Sequence, residues 1–570
     1  MKKSLLLLLA VLPAMITGGL IYAYGVNVPF WDQWDCPGVV LLKAHAGNLG
    51  FGDLLAQHNE SRMPFPKIIF LLLAQLTGWN TRYETLLTFI GACLVSLNVY
   101  FLLKRTSTIT LNTRLVLFFL VNLLIFTPMQ YMNFLWGMEL VNFIPIICIT
   151  TCLAIVYSNL GDTLKFILFS VLATISTYSF ANGLLCWIIV FPLLIFRTYK
   201  KPFDFRWLVL VVIAASILLM DVSVYFYNYS KPAHHPSFSG ALLSPLKTAL
   251  AFLTFMGAPL GEKEQIPSAI FGVILMCLVS ALCVHLFKMF RKGVSLDRLF
   301  PWLALGIYSI FNGLMVSVGR MDFGVLASRY ITFSAYLPLA LMVIFVMFAE
   351  SEGTLISRIR KYRRKTFAVI GGTLCLILLF NYGIGVKRLA RASWKWRYSK
   401  ACVSFINVMD DRQCIKESVY PIPEVARERA NALEDAGFLG VKLIADPSLG
   451  RNQSFAENSG PENHGIFESL TDDGHGFLAA SGWAVLPGQK RAADAVILAY
   501  EDPGGDEIAF AVAEVGERRK SGNATVKWAY KRSGWKKTFP KGSLPENAGS
   551  ITAWAFNTDT YEAFRLKEAF

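Results

Sequence analysis

The hydrophobic pattern has two regimes. Up to about residue 386, long apolar runs alternate with short polar or basic breaks. Eleven runs predict membrane spans: Leu5–Tyr24, Tyr83–Leu103, Leu115–Thr127, Leu140–Tyr157, Phe166–Phe180, Leu184–Phe196, Leu208–Tyr225, Ile270–Phe287, Phe300–Val318, Ile331–Phe348 and Phe367–Tyr382. A span takes roughly 20 residues, and Leu115–Thr127, Phe166–Phe180 and Leu184–Phe196 fall well short of that. They are kept because the basic flanks then all fall on one side: Lys104, Arg105 and Arg114; Lys165; Arg197, Lys200 and Lys201; Lys288, Arg291 and Lys292; and the run Arg358–Lys365. Cytoplasmic loops carry such an excess. The count puts the N-terminus inside and the C-terminus outside. Leu5–Tyr24 is longer than the roughly 7–15-residue core of a signal peptide and reads as a retained helix. Pro66–Trp79 and Leu246–Leu260 are too short to cross and read as interfacial or re-entrant helices on the outer face.

Beyond residue 386 the pattern changes. Pro423–Gly437 predicts one amphipathic helix with Gly437 at its end. After Pro461 come short alternations, Gly476–Val485, Ala493–Tyr500, Ile508–Val515, Ala524–Tyr530 and Ile551–Phe556, split by turns such as Asp502–Gly505. Spacing of that kind predicts a small β-sandwich or jelly roll. The expected fold is a polytopic all-α membrane bundle of about 11 transmembrane helices, then an extracytoplasmic α+β region. Its expected divisions are a membrane domain (1–386) with a large first outer loop (26–82), a helical connector (387–460) and a β domain (461–570).

Composition agrees with this reading. Of the 570 residues, 54% are hydrophobic and only 16% charged, with mean hydropathy +0.47; a soluble chain carries about 25% charged residues. The net charge of +15 suggests nucleic acid until it is placed. Residues 387–570 hold 25 Lys/Arg against 24 Asp/Glu, so the surplus, 29 against 15, lies among the spans. That is loop charge, and no nucleic-acid partner is expected. Of the ten cysteines, Cys402 and Cys414 both follow the last span, where an oxidising compartment favours a bridge between them. Cys36, in the first outer loop, is the other candidate partner on that side.

The first outer loop is the most polar part of the membrane half. It runs through Trp31-Asp32-Gln33-Trp34-Asp35 to His58-Asn59-Glu60-Ser61-Arg62. Carboxylates beside tryptophans are partly desolvated, which raises their pKa and makes them useful proton acceptors. The bland reading is a solvated loop with interfacial tryptophans.

This arrangement resembles the GT-C class of polytopic glycosyltransferases, which carry an acidic motif just after the first helix. Asp32 and Asp35 match that position. Glu60–Arg62–Pro64 is similar to the acidic–basic–proline stretch that leads into a membrane-surface helix in lipid A aminoarabinose transferases and protein mannosyltransferases. The likeness covers residues 26–82 and the topology. The chain departs from the mannosyltransferases in having Asp-Gln-Trp-Asp for adjacent Asp-Glu, which leaves open which carboxylate is the base.

The resemblance implies a polyprenyl-phosphate sugar donor, a glycan, lipid or protein acceptor, and a multi-pass protein of a bacterial inner membrane with its C-terminal domain in the periplasm. Asp32, with Asp35 second, would deprotonate the acceptor. Arg62 would clamp the donor phosphate, bidentate and always charged. Glu60 would orient Arg62 or hold a divalent metal (Mg or Mn), and His58 stands alone without a zinc-site partner.

A second cluster, Arg320, Asp322, Arg329 and Tyr330, puts positive charge on the outer side, where two arginines could grip a lipid phosphate; pairing with Asp322 and snorkelling is the alternative. Gln130–Glu139, with Asn133 and Trp136, could line the acceptor cleft or belong to an aromatic belt. His234 and His235 read as solvated. Two other function classes remain. A flippase for lipid-linked saccharides predicts charge inside the spans, where Asp221 is the main example. A polysaccharide polymerase or ligase predicts a large late loop, whereas the large loop here is the first.

Overall fold

A computed structural model of the protein describes residues 3–199, 204–232, 238–262, 264–320, 324–350, 363–449, 455–456, 463–519 and 530–570. Asp322, His234, His235 and most of Arg358–Lys365 lie outside the described residues. Ten helices among the described residues are long and apolar enough to cross a membrane: Lys3–Tyr24, Arg82–Thr106, Leu111–Leu135, Gly137–Val156, Ala181–Thr198, Phe205–Phe226, Gln265–Arg291, Phe300–Arg320, Ser328–Ala349 and Val369–Ser404. The chain divides into two units. The first comprises Met1–Tyr24, Gly50–Ile69 and Glu84–Leu389; the second comprises Gly25–Leu49, Phe70–Tyr83 and Ala390–Phe570.

In the first unit, polar side chains join helices whose surfaces are otherwise apolar. Asn122 donates to the Ala10 carbonyl at 2.7 Å and accepts from Ser96 at 2.7 Å, which ties three helices together. Bonds of this kind contribute on the order of 0.6 kcal/mol each in membrane bundles. Glycine provides close approach elsewhere. Pro245–Gly257 packs on Gln265–Arg291 so tightly that a Cβ at Gly272 would overlap the Leu253 carbonyl oxygen.

Several helix ends meet at two levels of the bundle. Tyr157 donates to the Asp297 carbonyl at 2.6 Å, and Arg197 pairs with the Asp297 carboxylate. The ends of Leu140–Val156 and Leu185–Thr198 and the start of Phe300–Arg320 are therefore level. At the other end Asp221 accepts from Thr174 at 2.8 Å and from Trp187 at 3.1 Å. Asp162–Thr177, with 16 residues, falls below a span by length alone. The described residues thus hold ten helices of spanning length where the sequence predicts eleven spans, the expected Phe166–Phe180 being the one that falls short. Pro64–Thr77 is a shorter apolar helix of 14 residues.

The second unit is built on one nine-stranded sheet. A two-residue hairpin in the first unit supplies β1 (Gln57–His58) and β2 (Ser61–Arg62); the sheet takes β3 (Phe455–Ala456), β4 (Gly465–Asp472), β5 (Phe477–Leu486), β6 (Arg491–Ala492), β7 (Ala495–Glu501), β8 (Glu507–Glu517), β9 (Gly534–Pro540), β10 (Ile551–Asn557) and β11 (Glu562–Arg565). The order is β3-β11-β10-β7-β8-β9-β5-β4, with β6 beside β5. A bridge from Ile466 to Lys567 brings the far strand back to the chain just past β11, so the sheet curls onto itself. Phe467, Val496, Leu498, Trp535 and Phe539 fill the inside. β10 is buried on both faces, because Phe556 also packs edge-on against Phe405 at 5.2 Å. The sequence pattern missed β9, whose Lys536 and Lys537 disguise the inward Trp535 and Phe539. The expected strand Ala524–Tyr530 lies almost wholly outside the described residues.

Cys402 and Cys414 are joined as a disulfide, with Cα atoms 5.9 Å apart. The bridge closes the turn between the long helix Arg363–Ser404 and the short helix Arg412–Ser418. Helix Pro423–Asp435 follows and stops before Gly437, whose φ of +74° is strained for other residues.

Candidate functional site

The candidate residues fall into two groups, one in each unit. In the first unit, hairpin β1–β2 turns through Asn59 and Glu60. The Glu60 carboxylate takes the Arg320 guanidinium on both oxygens, at 2.8 and 3.1 Å, and its carbonyl accepts from Tyr225 at 2.8 Å. Ser61 Oγ accepts the Ala181 amide at 3.1 Å. The hairpin is thus fastened to the same end of the bundle as Asp221 and Arg320.

Arg62 completes the fastening. Its Nε donates to the Tyr225 carbonyl and its Nη1 to the Leu55 carbonyl, each at 2.8 Å, and its Nη2 reaches the Tyr227 carbonyl. Lys67 serves the same short helix Phe51–Leu55, donating to the carbonyls of Asp53, Leu54 and Ala56. Carbonyls at a helix end lack partners within the helix, and cations satisfy them well. As placed, Arg62 organises the loop. Arg62→Ala should lower the stability of the purified protein by about 1.5–3 kcal/mol, the usual worth of hydrogen bonds to a charged group. Arg62→Lys should restore only part of it, because an ammonium lacks the planar fork whose three nitrogens each reach a separate carbonyl here. Unchanged melting of both variants, with weaker use of a lipid-phosphate donor, would return Arg62 to the phosphate role.

A second ion pair stands a few residues along from Arg320. Arg329 lies 3.6 Å from Glu139, with its guanidinium 5.2 Å from the centre of the Tyr330 ring. Its side chain is 30% exposed against 6% for Glu139. Asn142 donates to the same carboxylate, and Asn133 donates to the Arg329 carbonyl at 3.0 Å. Tyr330 is buried in the hydrophobic core and stacks on Phe333. The turn at Gly137–Glu139 has a constraint that the sequence reading missed. The fully buried Glu84 carboxylate lies where a Cβ on Gly137 would stand, so only glycine fits there. His58 is half-buried in β1, where it pairs with Ser61.

In the second unit, residues Trp31–Gln33 form a 3-10 turn. The Asp32 carbonyl accepts the amides of Asp35 and Cys36 at 3.2 and 2.8 Å. Trp34 is completely buried. Asp35 is held by Arg429 Nη1 at 2.6 Å and by the Tyr420 hydroxyl at 3.0 and 3.1 Å. Burial first, then the hydrogen bond to Asp35, pushes the Tyr420 hydroxyl above its usual range. Asp35 is therefore one member of an ion pair, and the Asp32 carboxylate is half-buried on the same turn.

Among the described residues no three His, Cys, Asp or Glu side chains come together as metal ligands. Glu60, the residue expected to hold a divalent ion, is engaged by Arg320. The described residues around Glu60 therefore do not fit a metal centre.

No family model matches the chain, and no curated protein matches it. Among solved structures it is similar to the archaeal oligosaccharyltransferase AglB from Archaeoglobus fulgidus, described in complex with an inhibitory peptide and a dolichol-phosphate. The identity is 13% and the TM-score 0.39, over 70% of this chain and 58% of that one. The chain thus spans less than two thirds of that neighbour's length, and a likeness at this level carries neither mechanism nor substrate.

Proposed function

We propose that the protein is a membrane glycosyltransferase of the GT-C kind, moving a sugar from a polyprenyl-phosphate donor to a cell-envelope acceptor on the extracytoplasmic side, with inversion. The observation that carries this reading is the pair Arg320 and Arg329. Two partly exposed guanidiniums sit nine residues apart at one end of an apolar bundle, each oriented by a carboxylate, Glu60 or Glu139. Arginines held in this way suit a phosphate that must stay anchored as its lipid remains in the bilayer.

The chemistry needs a base for the acceptor and a group that takes up charge on the leaving phosphate. In the second unit, the Asp32 carboxylate takes the proton of an acceptor hydroxyl. The freed oxygen lone pair attacks the anomeric carbon from the side opposite the phosphate, and the bond from that carbon to the phosphate oxygen breaks. Its electron pair leaves with the phosphate, whose added charge a guanidinium would stabilise. Stabilising charge where it develops is the largest single contribution in many enzymes.

The test uses the full chain in nanodiscs, with polyprenyl-phosphate-linked radiolabelled sugars and cell-envelope glycans as acceptors. The expected result is label in the acceptor and free polyprenyl phosphate in equal amounts. If no donor in the panel is consumed, while labelled lipid-linked saccharide crosses liposomes that contain the protein, the chain is a flippase instead.

A further inference from the structure

The two tryptophans of the Trp31–Asp35 turn serve different ends. Trp34 is fully buried. Trp31 is 39% exposed, although an indole gains more from burial than almost any other side chain. Its backbone φ is +46°, a left-handed conformation that is a genuine outlier for a bulky residue. Main-chain bonds impose that conformation: the Trp31 amide donates to the Val419 carbonyl at 2.9 Å, and its carbonyl accepts the Trp34 amide at 3.0 Å. Strain of this kind costs about 1–3 kcal/mol and persists where the surroundings over-determine it, most often at ligand sites. The neighbouring Phe30 sits 5.3 Å from Trp396 and 6.1 Å from Trp31.

We infer that the exposed face of Trp31 is the platform on which the acceptor sugar ring stacks. The inference rests on the glycosyltransferase reading for the identity of that sugar as the acceptor. A ring that offers a hydroxyl to Asp32 must lie over a neighbouring residue. Gln33 is buried at 1% exposure, with its side chain turned back to the Phe30 amide at 3.2 Å. Trp31 is the neighbour that remains. A pyranose has an apolar face of C–H bonds and polar edges of hydroxyls, so a flat indole beside a carboxylate matches both.

The experiment is saturation-transfer NMR on the full chain in nanodiscs, with the methyl glycosides of glucose, galactose, mannose and N-acetylglucosamine as probes. At least one should take saturation on the protons of its apolar face. Trp31→Ala should abolish that signal and Trp31→Phe should keep most of it. Trp31→Gly should also lose it, while melting no lower than Trp31→Ala, since glycine adopts positive φ without cost. In a transfer assay, Trp31→Ala should raise the acceptor KM roughly two- to tenfold, the range of one aromatic contact. No saturation with any of the four probes, or equal saturation in wild type and Trp31→Ala, overturns the inference. Saturation that depends on Trp31 in a protein that transfers no sugar would leave the platform standing and remove the glycosyltransferase reading. Transfer that ignores Trp31 would do the reverse.

Discussion

Asp32→Asn should leave a folded, membrane-inserted protein whose transfer rate falls about 10²–10⁴-fold, the usual loss when a general base is removed. Asparagine keeps the size of the side chain and the backbone turn, in which the residue 32 carbonyl accepts two amides. What it lacks is a site for the acceptor proton. Asp35→Asn should behave differently. It leaves Arg429, 22% exposed, facing a neutral amide and weakens the bond from Tyr420. A half-buried cation without its anion is costly, so Asp35→Asn should lower melting as well as rate, and Asp32→Asn should lower rate alone. Measuring both quantities in both variants separates the base from the residue that supports it. Full transfer by Asp32→Asn, in protein shown to be inserted and folded, would falsify the proposed mechanism. Loss of rate only in Asp35→Asn would exchange the two roles.

The sequence carried the helices well and the site partners poorly, and the reason is physical. A span announces itself through about 20 consecutive side chains that share one environment, so ten helices were legible, although the last runs on to Ser404, 22 residues past the expected end at Tyr382. Leu115–Thr127 looked short because Pro128 hides the continuation to Leu135. The partners of the candidate residues lie far away along the chain: Arg320 is 260 residues from Glu60, and Arg429 is 394 from Asp35. No local pattern records such a pairing. Arg62 is the sharper case. An arginine that binds a phosphate and one that binds carbonyls look alike in a sequence, since every residue supplies a carbonyl. Trp31 and Trp34 could not be ranked either, because burial depends on which way the turn faces. The β domain was legible where apolar and polar residues alternate cleanly, and was lost at β9, where Lys537 points to Asp411 at 2.6 Å and serves as a structural side chain.

Removing the disulfide should have the second largest effect. The double variant Cys402→Ala, Cys414→Ala opens a loop whose ends are 12 residues apart, and chain-entropy arguments give a loss of about 3 kcal/mol for a loop of that size. Both half-cystines are buried, at 3% and 2% exposure, and Ser418 makes a hydrogen bond to the Cys414 carbonyl, so the bridge sits in packed structure. The loss should not stay local. Helix Arg412–Ser418 leads directly into Val419, whose carbonyl holds the Trp31 amide, and into Tyr420, which holds Asp35. Loosening that helix releases both contacts. The double variant should therefore melt lower and also lose part of its transfer rate, with the acceptor KM rising as it does for Trp31→Ala and the donor KM little changed. Mass spectrometry of alkylated, unreduced protein should find one linked peptide pair in the wild type. Two alkylated thiols there would remove the bridge from the native protein. A bridge that is present but whose loss changes melting alone would leave it a fastening of the second unit, with no hold on the Trp31–Asp35 turn.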